Sequence, residues 1–138
     1  MKRLLLLLVL FGIAVWYFGF RKESPSTSPS ALPPPSGPFY ECVRLAEIAN
    51  SSLVAASAIA SRPPVDPNEW SRVESDTQSA ISTAEASCAT SPEVSKALGL
   101  MRDSLSEFAS ASKGQGGATA GAQRQEQIYD LLNRARGR

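Results

Sequence analysis

The two cysteines, Cys42 and Cys88, have the widest range of chemistry in this chain, since a thiol can form a disulfide, bind a metal or act as a nucleophile. They are too few and too far apart for a C-x-x-C redox motif or for a zinc site built from four thiolates. Two interpretations remain: a disulfide between the two residues, or a pair of buried free thiols. The helices that carry the cysteines decide between them.

The sequence contains no histidine, which is the commonest general base and the commonest metal ligand in proteins. A catalytic pair would need carboxylates, and the helical pattern places most of them on solvated faces. No serine lies in a nucleophile-elbow motif, and Met101 suits a core position better than an axial haem position. The sequence therefore predicts neither an enzyme nor a carrier of a metal or cofactor. The carboxylates concerned are Glu41, Glu47, Glu69, Glu74, Asp76, Glu85, Glu93, Asp103 and Glu107.

The charge distribution argues against a nucleic acid as partner. The net charge is +1, and residues 39–113 contain six lysines and arginines against ten aspartates and glutamates. The C-terminal sequence "NRARGR" is basic, and it is either a solvated tail or a contact for an acidic partner. No small-molecule substrate is indicated. The candidate partner contacts near this end are Tyr129, Leu132, Arg134, Arg136 and Arg138.

The N-terminal segment Leu4–Phe20 predicts a single transmembrane helix, and we assign residues 1–20 to a membrane anchor. The segment has no charged side chain and would be roughly 26 Å long as a helix, slightly less than the ~30 Å hydrocarbon core of a bilayer. Flanking cations can compensate by reaching the headgroups. Aromatic residues cluster at its C-terminal end, as is common at a membrane interface. The cations are Lys2, Arg3, Arg21 and Lys22, and the aromatics are Trp16, Tyr17, Phe18 and Phe20.

A cleaved signal peptide is the main alternative interpretation of the same segment, and a buried helix of a soluble protein is a third. Its apolar core would be long for that role, and bulky or charged residues stand where a cleavage site needs small ones. The small residues that end at Ala31 come late and include a proline. We therefore predict a retained anchor, with the N-terminus in the cytoplasm and the body periplasmic or extracellular.

Beyond the anchor, changes in composition divide the chain. Residues 21–37 are rich in proline and serine, which predicts an extended linker. Residues 38–112 have helical periodicity in three segments, beginning near Pro38, Pro67 and Pro92. Residues 113–122 are glycine-rich and predict a flexible connection. Residues 123–138 predict a short helix with a basic tail, which either completes a four-helix body or binds a partner.

The predicted inward positions of the first two helices match level by level if the two helices form an antiparallel hairpin. Opposed residues then have numbers that sum to about 130, as for Ala46 with Ala84 and for Cys42 with Cys88. Small neighbours permit the close approach that a disulfide needs. We therefore predict a Cys42–Cys88 disulfide, which also favours an oxidising compartment outside the cytoplasm.

Taken together, the sequence predicts an all-α protein: a single transmembrane helix, a Pro/Ser linker and a disulfide-stapled helical hairpin extended to a three- or four-helix bundle. The expected function is that of an accessory or structural subunit, or interaction module, of a membrane or envelope protein complex. The alternative is an independent module that binds a soluble or envelope ligand after signal-peptide cleavage.

Overall fold

A computed structural model describes residues 37–137 of the chain. The predicted anchor, nearly all of the predicted linker, and Arg138 lie outside the described residues. Within residues 37–137 the protein is all-α, with four helices and no strand, as predicted. The helices are α1 Pro38–Ala60, α2 Pro67–Ser87, α3 Pro92–Ser112 and α4 Thr119–Arg136.

Proline and a capping side chain set the start of the middle helices. A proline occupies the first turn of α1, α2 and α3, where its missing N–H costs no helical hydrogen bond. Asp66 caps α2 by accepting hydrogen bonds from the backbone N–H groups of Asn68 (2.7 Å) and Glu69 (3.2 Å). Ser91 caps α3 by accepting from the N–H of Val94 at 3.5 Å.

The four helices pack as a bundle in which α1 and α3 are central. Each of these two contacts the other three helices, whereas α2 and α4 do not contact one another. The core is made largely of small and medium apolar side chains, with Phe108 its largest fully buried residue. Other core members are Ala46, Ala49, Leu53, Ala56, Ile81, Ala84, Leu98, Met101 and Ile128.

The predicted disulfide between Cys42 and Cys88 is present. Its Cα atoms are 5.0 Å apart, and both residues are buried. Ala46 and Ala84 are also fully buried near it, so small side chains accompany the close approach of α1 and α2. Residues 61–66 connect these two helices through the chain, and the disulfide connects them again beyond α2.

The C-terminal helix begins earlier than the sequence pattern indicates. It starts at Thr119 rather than near Gln123, so residues 119–122 of the predicted flexible connection are helical. The reason lies at Gly121, which is buried against Phe108: an added Cβ would lie 2.6 Å from a carbon of that ring. The glycine that suggested flexibility instead allows α4 to approach α3 closely.

The central helices α1 and α3 bury wide faces. Val43 and Asn50 on α1, and Ala97 and Ser104 on α3, are buried next to apolar positions that lie three and four residues apart, such as Cys42 and Ala46. A helix that contacts three neighbours loses exposure over more of its circumference than one with a single neighbour. The packing of α4 on both α1 and α3 therefore explains the wide buried faces of these two helices.

Replacing Gly121 by alanine should destabilise the bundle by about 1–2 kcal/mol. The added methyl meets the buried ring of Phe108, and such overpacking costs about 1–3 kcal/mol, against up to about 1 kcal/mol gained in helix propensity. Urea unfolding of residues 35–138, followed by circular dichroism, measures the change.

Gly99→Ala is the matched control, because an added Cβ at this exposed position of α3 has no neighbour within 4 Å. It should stabilise the protein by about 0.5–1 kcal/mol. Equal effects of the two substitutions would contradict the assigned contact between α3 and α4.

Removing the disulfide should cost about 4 kcal/mol of unfolding free energy, because it closes a sequence separation of 46 residues. For a body of about 100 residues this corresponds to a melting temperature roughly 15–30 °C lower. Thermal unfolding of the wild type with and without reductant measures it. The double variant Cys42→Ala, Cys88→Ala should melt at the low temperature in both conditions, and a wild type insensitive to reductant would refute the expectation.

Candidate interaction surface

Ion pairs with arginines engage several carboxylates of the bundle. Within residues 37–137 no group of three or more histidine, cysteine, aspartate or glutamate side chains could hold a metal ion. Five carboxylates instead form ion pairs with arginines. The pairs are Glu41–Arg44 (2.6 Å), Asp130–Arg134 (2.5 Å), Glu85–Arg102, Glu107–Arg124 and Glu47–Arg136.

The candidate contacts near the C-terminus have different environments. Leu132 is buried in the core of the bundle, so the packing of α4 itself accounts for this leucine. Arg136 pairs with Glu47 of α1, and Arg134 pairs with Asp130 one turn earlier in α4. Tyr129 is 49% exposed and remains a candidate contact, while Arg138 lies outside the described residues. Of these residues within the described part of the chain, Leu132 belongs to the core, and Tyr129, Arg134 and Arg136 lie at the surface.

Buried polar groups fix how the helices meet. Asn50 is the first residue of an Asn-Ser-Ser glycosylation sequon. Its side chain is buried, and its Oδ1 accepts a hydrogen bond from Nε2 of Gln125 at 2.5 Å. This bond joins α1 to α4. The Thr77 hydroxyl of α2 donates to the carbonyls of Val73 (2.7 Å) and Ser52 (3.2 Å), which links α2 to α1. Because unpaired buried polar groups are costly, these contacts disfavour shifted packings of the helices.

The most unusual surface is the outward face of α1. Five large hydrophobic side chains are exposed in the described part of the chain, and all but Tyr129 belong to this helix. Two of them, Ile48 (45% exposed) and Val54 (41%), lie in a stretch from Ile48 to Ser61 that contains no charged residue. We call the exposed residues of α1 within this stretch the α1 outward face: Ile48, Ser51, Val54, Ala55 and Ala58.

The other three helices show the usual pattern of a solvated surface. Their exposed positions are mostly polar, with charged side chains spread among them, as is normal for helices that meet water on one side. Examples are Arg72 and Asp76 on α2, Lys96 and Asp103 on α3, and Glu126 and Arg134 on α4. The α1 outward face therefore differs from the rest of the bundle surface in composition.

Among residues 37–137, α1 is also the one helix long and apolar enough to cross a membrane by length and composition. Only 39% of its most apolar 18-residue segment is buried within the protein. From Ile48 onward α1 carries no charged side chain on any side, whereas a helix face that meets water usually carries charge. Its inward residues are covered by α2, α3 and α4, and its outward residues are not.

Two concavities in the bundle are less distinctive than the α1 outward face as binding sites. A groove of about 210 Å³ between α2 and α3 is lined partly by Ile81, Leu105 and Arg102. A larger hollow of about 580 Å³ lies between residues 60–63 and the connection from α3 to α4. No ionisable side chain lines this hollow, and its polar side chains are those of Ser61 and Thr119. The residues there are Ala60, Ser61, Pro63, Ala111, Gly114, Gly116, Gly117, Ala118, Thr119 and Ala122.

No protein-family model matches the chain, and comparison with curated proteins and with solved structures finds no match either. The function is therefore argued from the residues of this chain.

The ion pair between α2 and α3 should give the bundle a small acid-sensitive contribution to stability. Hydrogen bonding to Arg102 lowers the pKa of Glu85 below its usual value. A lowered folded-state pKa stabilises the protein above the unfolded-state value, and this contribution is lost as the pH falls through the folded value. Since both groups are partly exposed, Arg102→Gln should cost only about 0.2–1 kcal/mol at pH 7.

The difference between wild type and Arg102→Gln, measured by urea unfolding, should shrink as the pH falls through the lowered pKa of Glu85, and it should also shrink in high salt. Arg72→Gln removes the same charge from an exposed arginine for which residues 37–137 show no ion pair, and it should have little effect. A difference for Arg102→Gln that is as large in acid as at pH 7 would mean that packing, not the ion pair, is responsible.

Proposed function

We propose that the chain is a membrane-anchored, extracytoplasmic helical protein that serves as an accessory or structural subunit, or interaction module, of a membrane or envelope protein complex, without catalysis. The observation that carries this proposal is the α1 outward face. It exposes Ile48 and Val54 in a stretch without charge, on a helix whose inward side already forms the core. Contiguous exposed apolar surface typically marks a protein or membrane contact.

The rest of the chain supports a protein that is held at a membrane and presents this surface there. Leu4–Phe20 supplies the proposed single span, with the N-terminus in the cytoplasm, and residues 21–37 supply the linker. We take α1 and α2 as an antiparallel hairpin stapled by Cys42 and Cys88. A structural disulfide is stable in the periplasm or outside the cell, which agrees with this orientation.

The chemistry of the bundle supports binding rather than catalysis. The paired carboxylates are committed to arginines on the surface, and an acid–base site needs a group free to exchange a proton with a substrate. The larger hollow has no ionisable group to act on a ligand. A stable scaffold with one apolar face is instead suited to a protein–protein contact.

The first test is the intact mass of the full chain purified from membranes in mild detergent. We expect an uncleaved chain that resists alkaline extraction, is lighter by two hydrogens because of the disulfide, and is bound to protein partners. Val9→Arg places a charge in the middle of the proposed span and should release the chain from the membrane, whereas Val9→Leu should not.

A soluble mature chain that begins after Ala31 would contradict the anchor and would favour an independent secreted binding module. A body located in the cytosol, with reduced cysteines, would contradict both the orientation and the compartment. An anchored chain with no protein partner would contradict the assignment as a subunit.

A further inference from the structure

We propose that the end of the bundle at which α1 begins lies against a phospholipid bilayer, with Phe39 and Tyr40 at the level of the headgroups. This inference names the partner of one end of the body, and it rests on the membrane anchor of the proposed function. The argument comes from the exposed aromatic side chains, from the arginines beside them and from the point at which the predicted linker joins the bundle.

Two exposed aromatic side chains lie in the first turn of α1. Phe39 is 43% exposed and Tyr40 is 42% exposed. The other aromatic residues of the range 37–137 lie elsewhere: Trp70 and Phe108 are buried, and Tyr129 lies on the side of α4, about two turns before its end. Aromatic side chains, and tyrosine in particular, suit the headgroup region of a bilayer, because the ring leaves water while the hydroxyl stays wet.

The opposite end of the bundle has no such pair of rings. It consists of residues 61–66 and 113–118, which connect α1 to α2 and α3 to α4 and meet at the larger hollow. These residues include Arg62, Asp66 and Lys113 but no aromatic residue. The exposed rings therefore distinguish the end at which α1 begins from the end at which it stops.

Exposed arginines lie at the same end as the two rings. Arg44 is one turn after Tyr40 on α1. Arg136 in the last turn of α4 pairs with Glu47, which places the end of α4 beside the first half of α1, and Arg134 lies in the same turn. The three arginine side chains are between 50% and 66% exposed. A guanidinium has more N–H donors than one carboxylate engages, so each arginine can bind a lipid phosphate while it holds its ion pair.

Charge alone would not hold this end on a bilayer. The three arginines are paired with Glu41, Asp130 and Glu47, so these groups together carry no net charge. The rings therefore have to supply most of the attraction, by leaving water for the boundary between headgroups and acyl chains. The arginines add charge-assisted hydrogen bonds to phosphate, a group that zwitterionic and anionic phospholipids share.

The predicted linker is the reason to expect a bilayer at this end rather than another partner. Residues 21–37 join the proposed span to the start of α1, so the two rings follow the linker directly in sequence. Even fully extended at about 3.1 Å per residue, the linker reaches only about 50 Å. The tether thus keeps the bilayer at a high effective concentration near the rings, and a weak contact suffices to dock the body.

This contact would hold the body by one end and leave the α1 outward face open. Ile48 lies eight residues after Tyr40, roughly 12 Å farther along the helix axis. The surface that carries the proposed function is then presented close to the membrane, where a membrane complex would meet it.

The experiment places the photoreactive residue p-benzoylphenylalanine at one position at a time in the full chain, which is reconstituted in phosphatidylcholine vesicles and irradiated. The positions are Val9 in the proposed span, Tyr40, and Tyr129 as the exposed control. The intact mass of the chain then reports a bound lipid. We expect lipid adducts from Val9 and Tyr40, and at least about fivefold less adduct from Tyr129.

A probe in place of Phe39 tests whether the neighbouring ring contributes. Tyr40→Ser should lower the lipid adduct from this probe at least about threefold, because one of the two rings is lost. Tyr129→Ser removes a ring of similar exposure from the side of α4 and should leave the adduct unchanged. Circular dichroism and the intact disulfide confirm that each variant is folded.

The outcomes separate the contact from the anchor. Adduct from Val9 without adduct from Tyr40 would overturn the contact and leave the anchor intact, whereas the reverse would contradict the anchor and support the contact. Adduct from neither position would overturn both. Equal yields from Tyr40 and Tyr129, or a bond from Tyr40 to residues of the chain itself in place of lipid, would overturn the proposal.

Discussion

The disulfide between Cys42 and Cys88 is the constraint on which the bundle most depends. Seven of the twenty buried hydrophobic residues in the described part of the chain are alanines, such as Ala46, Ala49 and Ala56, and each removes little apolar area from water. Small side chains let the helices approach closely, but they contribute less hydrophobic stabilisation than a core rich in large residues. A covalent link between α1 and α2 offsets this by restricting the unfolded chain. Such a bond ties the stability of the protein to an oxidising compartment.

Helix α1 connects that stability to the proposed function. One side of it carries the disulfide and the buried Asn50–Gln125 hydrogen bond, and contacts the other three helices. The opposite side is uncharged from Ile48 to Ser61 and exposed. The bundle holds this side in one orientation because buried contacts fix α1 on its inner face. A surface held in this way loses little conformational entropy when it binds.

Local signals made much of the fold predictable. Proline in the first turn and the caps at Asp66 and Ser91 set where α2 and α3 begin, because those groups satisfy the free backbone N–H groups without distant partners. The pairing of Cys42 with Cys88 was also predictable, since helical periodicity and a short turn place them opposite one another. The start of α4 was not predictable, because Gly121 is a flexible residue in sequence and a packing residue only against Phe108. The packing of α4 also gives different environments to the residues predicted as partner contacts near the C-terminus. Leu132 lies in the core, and Arg136 pairs with Glu47 of α1.

The sequence by itself determined the helices, their caps and the cysteine pair, since each depends on residues close along the chain or on a fixed helical period. The spacing of Cys42 and Ala46 also indicated the inward side of α1, but it did not show how many helices would cover that side. Tertiary structure decided that α2, α3 and α4 cover the side of Leu53 and leave the side of Ile48 exposed. It also decided that α4 joins this bundle, since that packing requires Gly121 of one helix to meet Phe108 of another.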